Sequence, residues 1–160
     1  MMKDTLMHYR LRTCLSLLAL AVATPALAGP ASDAVRFFYE PVRWEADPEI
    51  RDRFTGPAKA LFDANDRMPE GEMDCLGFAP SIDGQDFDDA TLAETLELSE
   101  AVDGGSATVT ATFQLFAGEE ESRRMIDWML VEEGGAWKVA DIASRNADWA
   151  LSEFSCPPDQ

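Results

Sequence analysis

Carboxylates are the reactive groups this chain has in excess. Its 160 residues carry 30 Asp and Glu against 13 Lys and Arg, with one His and three Cys. Paired carboxylates can do general acid and base work, but here pairs occur almost everywhere, so pairing alone selects none of them. Asp127 is the best single candidate, because it sits between Ile126 and Trp128 in a mostly apolar run. Burial there would raise its pKa and suit proton transfer. The blander alternative is a solvent-facing residue on an outer sheet face, or an ion-pair partner of Arg123 or Arg124, and structural ion pairs perturb carboxylates as readily as function does. Tyr39 could offer its hydroxyl to a cavity, although such a Tyr more often packs its ring in the core and bonds at the rim. Trp128 reads as a core or cavity-wall aromatic, as does Trp137. Tyr39, Asp127 and Trp128 are therefore the candidate ligand-binding residues.

The run Ile82-Asp83-Gly84-Gln85-Asp86-Phe87-Asp88-Asp89 invites a calcium reading through Asp83, Asp86 and Asp88. It fails the EF-hand pattern, because Phe87 and Asp88 stand where a ligand and a Gly belong. The simpler reading makes Asp86 or Asp88 a capping or turn residue and has Gln85 bond to backbone. No phosphate-binding Gly-rich loop, no CxxC pair and no G-x-S-x-G is present, and no cofactor is expected.

The elements that must position these groups begin after a targeting segment. Lys3, Arg10 and Arg12 lead into the short apolar run Cys14 to Ala23, and Ala26-Leu27-Ala28 follows. A basic lead, a short apolar core and an A-x-A end form the signature of a cleaved secretory signal. The run is too short to span a membrane. Cys14 opens the apolar run instead of following it, which excludes a lipoprotein signal. The expected mature chain starts at Gly29 and holds 10 Lys and Arg against 29 Asp and Glu, a net −19, with no His because His8 leaves with the signal. That excludes His-dependent nucleophile mechanisms, and it opposes binding to nucleic acid or anionic lipid. A strongly negative surface gives solubility, or docks a basic partner protein.

Helices come first. Ser32-Asp33 supplies an N-cap ahead of Val35, Phe38, Tyr39 and Val42 at helical spacing, and Pro41 limits that helix. Asp47-Pro48-Glu49 is a second start signal. Gly56-Pro57 opens a third helix with Ala58, Leu61, Phe62 and Asn65 on one face. From Met68 to Asp89 the pattern stops, giving a long ordered loop. Ala107 to Ala117 alternates cleanly, with Ala107, Val109, Ala111, Phe113 and Leu115 on one face. Leu92 to Val102 precedes it, and Arg123 to Glu132 and Ala136 to Ser144 follow, each joined by a short turn. Asp148 caps a last short helix carrying Trp149, Leu151 and Phe154. The fold class is a single α+β domain over residues 29–160: N-terminal helices on a curved four-stranded antiparallel meander, then a short C-terminal helix.

This order, ending in Gly134-Gly135-Ala136-Trp137-Lys138-Val139-Ala140-Asp141-Ile142, resembles the nuclear transport factor 2-like superfamily, where a closing strand of the G-x-W-K-I-x-D-I type is common. Residues Asp74 to Asp86 resemble a loop of one bacterial domain-of-unknown-function family of that superfamily, found in secreted proteins and envelope lipoproteins. There Gly77-Phe78-Ala79-Pro80 replaces the usual acidic stretch. The resemblance implies a cone-shaped fold with a cavity between helices and sheet. It implies no catalytic residue, since such folds host enzymes, binding modules and scaffolds.

Three functions remain open. The first is an exported, non-catalytic domain that binds a small apolar ligand or an envelope protein in the periplasm. The second is a small cavity enzyme of isomerase or dehydratase type, with Asp127 as base and Tyr39 as oxyanion donor. The third is an acidic immunity or inhibitor protein for a basic effector. One covalent feature is independent of all three. An exported chain left with two cysteines reads as bridged, so Cys75 and Cys156 are expected to form a disulfide that pins the long loop. Two thiols without His make a poor zinc site, and Cys75 has no nearby base or cation in sequence to make it reactive.

Overall fold

The computed structural model describes residues 29–69 and 75–156. The expected signal, residues 1–28, lies outside the described residues. Three short helices, α1 (Pro30–Arg36), α2 (Gly56–Asn65) and α3 (Asp89–Thr95), accompany a five-stranded antiparallel sheet. The strands β1 (Glu97–Asp103), β2 (Ser106–Gln114), β3 (Arg123–Glu133), β4 (Ala136–Ser144) and β5 (Trp149–Ala150) are hydrogen-bonded in chain order. The α+β class and the consecutive meander are as expected. No helix among the described residues is long and apolar enough to cross a membrane.

The meander follows from period-two patterning. Along β2, Ala107, Val109, Ala111 and Phe113 are buried and the Thr residues between them are half-exposed. Across β3, Val109 pairs with Trp128 and Ala111 with Ile126, so apolar side chains share one face. The pairing of β3 with β4 shifts register between Met129 and Leu130.

Five details depart from the expectation. First, α1 begins two residues before Ser32. Pro30 presets the first turn. The Ser32 hydroxyl and amide instead donate to Glu100 Oε2 at 2.8 and 2.7 Å, which ties α1 to β1. Second, α1 ends at Arg36, so Phe38 and Tyr39 are buried in the turn after it and Pro41 does not limit it. Third, the segment from Pro48 to Arg53 is a 3₁₀ turn, with Asp47 accepting from Glu49 N as a cap should. Fourth, the first expected strand starts late, because Asp89–Thr95 is α3. Its cap is Asp88, which accepts from both the amide and the hydroxyl of Thr91. Fifth, Asp148 caps no helix. It turns the chain at φ +55, a left-handed conformation Asp tolerates, and Trp149 and Ala150 add the fifth strand before a 3₁₀ turn at Leu151–Glu153.

The core lies between the sheet's inner face and the helical segments. Phe38 stacks on Trp128 at 4.8 Å between centroids, Phe54 meets Phe38 at 5.3 Å and Phe62 at 4.9 Å, and Tyr39 sits 5.4 Å from Phe113. All six rings are essentially buried. These rings pack between the sheet's inner face and the helical segments. Arg51, also buried, donates to Ala46 O and pairs with Asp63 and Asp66, joining the 3₁₀ turn to α2.

Candidate functional site

From Cys75 onward, the long loop is held by covalent and polar ties. Cys75 is bonded to Cys156, with Cα atoms 5.3 Å apart, as expected from the cysteine count. Cys75 N donates to Asn65 Oδ1 at the end of α2. Asp83, left-handed at φ +46, accepts from Trp149 Nε1 at 2.9 Å and from Ser144 Oγ at 2.7 Å. Gln85 Nε2 donates to Gly77 O, and Ala79 bridges Gly84, so residues 77–85 form a closed turn. Phe78 packs among Trp149 and Phe154, 5.0 and 6.0 Å away.

Between this loop and residues 42–44 runs an open groove of about 780 Å³, with Val42, Trp44, Leu76, Phe78, Ile82 and Phe87 among its apolar walls. Trp44 is 44% exposed at this groove, one of two large apolar side chains so exposed among the described residues. Its volume falls in the range of ligand and peptide pockets.

Behind the groove wall lies a buried polar chain. Trp128 Nε1 donates to the Tyr39 hydroxyl at 3.1 Å, that hydroxyl donates to Ser81 O at 2.8 Å, and Ser81 N donates to Glu45 Oε1. Glu45 is fully buried, and its Oε2 and the Ser81 hydroxyl find no partner among the described residues. Desolvation pushes the Glu45 carboxyl up to about 7, against the opposing hydrogen bond from Ser81. Desolvation likewise raises the Tyr39 phenol, with the nearby Glu45 carboxylate adding to the rise. Glu45 is the functional candidate that sequence patterning missed. Nothing local marks it, since its burial comes from Ser81, 36 residues away.

The structure separates two residues that the enzyme reading required together. Tyr39 and Trp128 point into the core, whereas Asp127 points to the sheet's opposite face. There Asp127 accepts from Thr110 Oγ1 at 2.7 Å and from Arg145 Nε at 2.6 Å. Asp127 is thus an ion-pair residue on the outer face, its partner Arg145 and neither Arg123 nor Arg124. The geometry for an Asp127 base facing a Tyr39 oxyanion donor is not present. Trp128 is fully buried against Phe38 and faces no open space. The three acids of the calcium reading diverge: Asp83 holds Trp149 and Ser144, Asp86 accepts from the adjacent Phe87 N, and Asp88 caps α3. Among the described residues no group of three or more His, Cys, Asp or Glu could hold a metal ion.

No protein-family model matches the chain, and no curated protein matches it. Among solved structures, it is similar to a chain of the type VI native effector–immunity complex Tae3–Tai3 from Ralstonia pickettii, at 15% identity over 74% of this chain and 97% of that one, with a TM-score of 0.49. A chain of the selenomethionine form of that complex gives 16% identity over 73% and 97%, with the same TM-score. The functional reading therefore rests on the site itself.

Proposed function

We propose that this protein is an exported, non-catalytic binding module of the bacterial envelope, and that it engages a protein partner. The observation that carries this reading is the contrast between a closed core and an open groove. The helix–sheet interior is filled by aromatic rings, whereas Trp44 stands exposed beside apolar walls already held in place by the rest of the fold. Contiguous apolar surface of this kind on a highly charged protein marks an interaction site. The Cys75–Cys156 bond supports an oxidising compartment such as the periplasm. A net charge of −19 after residue 28 supports the narrower reading of an acidic inhibitor or immunity protein for a basic partner. The order of helices followed by an antiparallel meander supports the nuclear transport factor 2-like superfamily as the fold's home.

Native mass spectrometry of the protein purified from its own periplasm tests the reading. A stoichiometric protein partner, released as salt is raised, is the expected result. A bound small apolar molecule would replace this reading with the second one that the groove lining favours, ligand binding.

A further inference from the structure

Resting on the reading of this chain as a protein-binding module, we propose that the groove docks a short segment of a cationic partner protein, with an aliphatic or aromatic side chain seated against Phe78 and Phe87 and a flanking Arg or Lys over the Trp44 indole. Four observations converge on that occupant.

The walls are apolar and aromatic, and their one charged residue is a cation, Arg43, held back against residues of its own chain. Arg43 Nε donates to Phe37 O at 2.9 Å, and its guanidinium lies 4.4 Å from the Phe37 ring centroid. The exposed Trp44 ring offers a π face, for which Arg and Lys are the matching partners. The overall charge of the molecule selects the same sign. The described residues hold 10 Lys and Arg against 25 Asp and Glu, and five of those cations, Arg36, Arg51, Lys59, Arg124 and Arg145, are spent in salt bridges. Such a field attracts a basic segment and repels an acidic one. Finally, the groove needs little ordering before it binds. The disulfide, the Asp83 bonds to Trp149 and Ser144, and the Gln85–Gly77 bond hold residues 75–85 in shape, which lowers the entropy lost on docking.

The test uses oxidised protein of residues 29–160 and three acetylated, amidated peptides, read by isothermal titration: Gly-Arg-Leu-Phe-Arg-Gly, its Glu-for-Arg analogue, and its Ser-for-Leu-and-Phe analogue. Only the first is expected to bind. Affinity should fall roughly tenfold or more in Trp44→Ala, a rim residue whose exposure makes truncation mild for folding. It should fall likewise in Gly77→Phe, which adds bulk at a wall position where a Cβ meets nothing within 4 Å. Raising salt from about 50 to about 500 mM should weaken binding further. Equal binding of the Ser analogue, or of the first peptide to both variants, would mean charge acts elsewhere; that overturns the groove and leaves the protein-binding reading standing. Equal binding of the Glu analogue overturns the choice of a cationic segment. No binding by any peptide overturns the inference. A dimer of the free protein that Trp44→Ala dissociates would make a second copy the occupant, and a Trp44-dependent small molecule in native mass spectra would overturn both inference and reading.

Discussion

The indole of Trp149 donates to Asp83 Oδ1 at 2.9 Å, joining the short fifth strand to the tip of a loop 66 residues earlier in the chain. Ser144 Oγ reaches the other oxygen of the same carboxylate, and Arg124 lies 4.0 Å from it. Asp83 thus has a largely buried carboxylate with its acceptors filled, at a backbone angle that disfavours most other residues. Asp83→Ala leaves two donors without partners and should cost about 2–4 kcal/mol by urea unfolding. Asp83→Asn keeps an acceptor and the tolerance for that angle, and should cost visibly less.

Thiol titration of the native oxidised protein should find no reactive group. The bridge closes 81 residues of chain, worth roughly 4 kcal/mol in the chain-entropy account, less any native strain. Reduction, or Cys75→Ser, should lower the melting temperature by several degrees in a calorimetric scan.

Glu45 gives stability a defined pH dependence. Its folded value near 7 lies above its ordinary 4.5, so between those values the unfolded chain has lost a proton that the folded protein keeps. This contribution is full below about pH 4.5, falls as pH rises, and levels off above 7. Glu45→Gln should remove that slope. It should be more stable than the wild type at pH 8, by up to about 3 kcal/mol, and near equal to it at pH 4. Denaturant midpoints of the pair across that range check the sign, and a wild type that gains on the variant as pH rises contradicts it.

Asp127→Asn should change stability by about 1 kcal/mol or less. Its partner Arg145 is half-exposed, and exposed ion pairs contribute little after solvent screening. A loss of several kcal/mol in chemical denaturation would show that the carboxylate is doing more than the outer-face pairing requires.

The strands were legible wherever burial alternates residue by residue, as from Ala107 to Leu115, because that period is a local property. The disulfide was legible from a count alone. Helix α3 was not, because Leu92 and Leu96 fit the start of a strand as well as a helical face. The decisive signal was the cap, in which Asp88 bonds Thr91 within an acid run that looked uniformly solvated. The end of α1 was hidden in the same way: Val35, Phe38 and Tyr39 keep a helical spacing although the chain has already turned. Glu45 was illegible in principle. A carboxylate between Trp44 and Ala46 reads as surface, and only tertiary packing, with Ser81 brought to it from 36 residues away, makes it the most buried acid described.

The Cys75–Cys156 bond encloses α3 and all five strands in one covalent ring. A protease that cuts once at any exposed turn within it, such as Gly104-Gly105 or Gly134-Gly135, releases no fragment. The nicked protein keeps its mass apart from one water and comes apart on a denaturing gel only after reduction. In a compartment shared with secreted proteases, a single wound is therefore not the loss of the molecule.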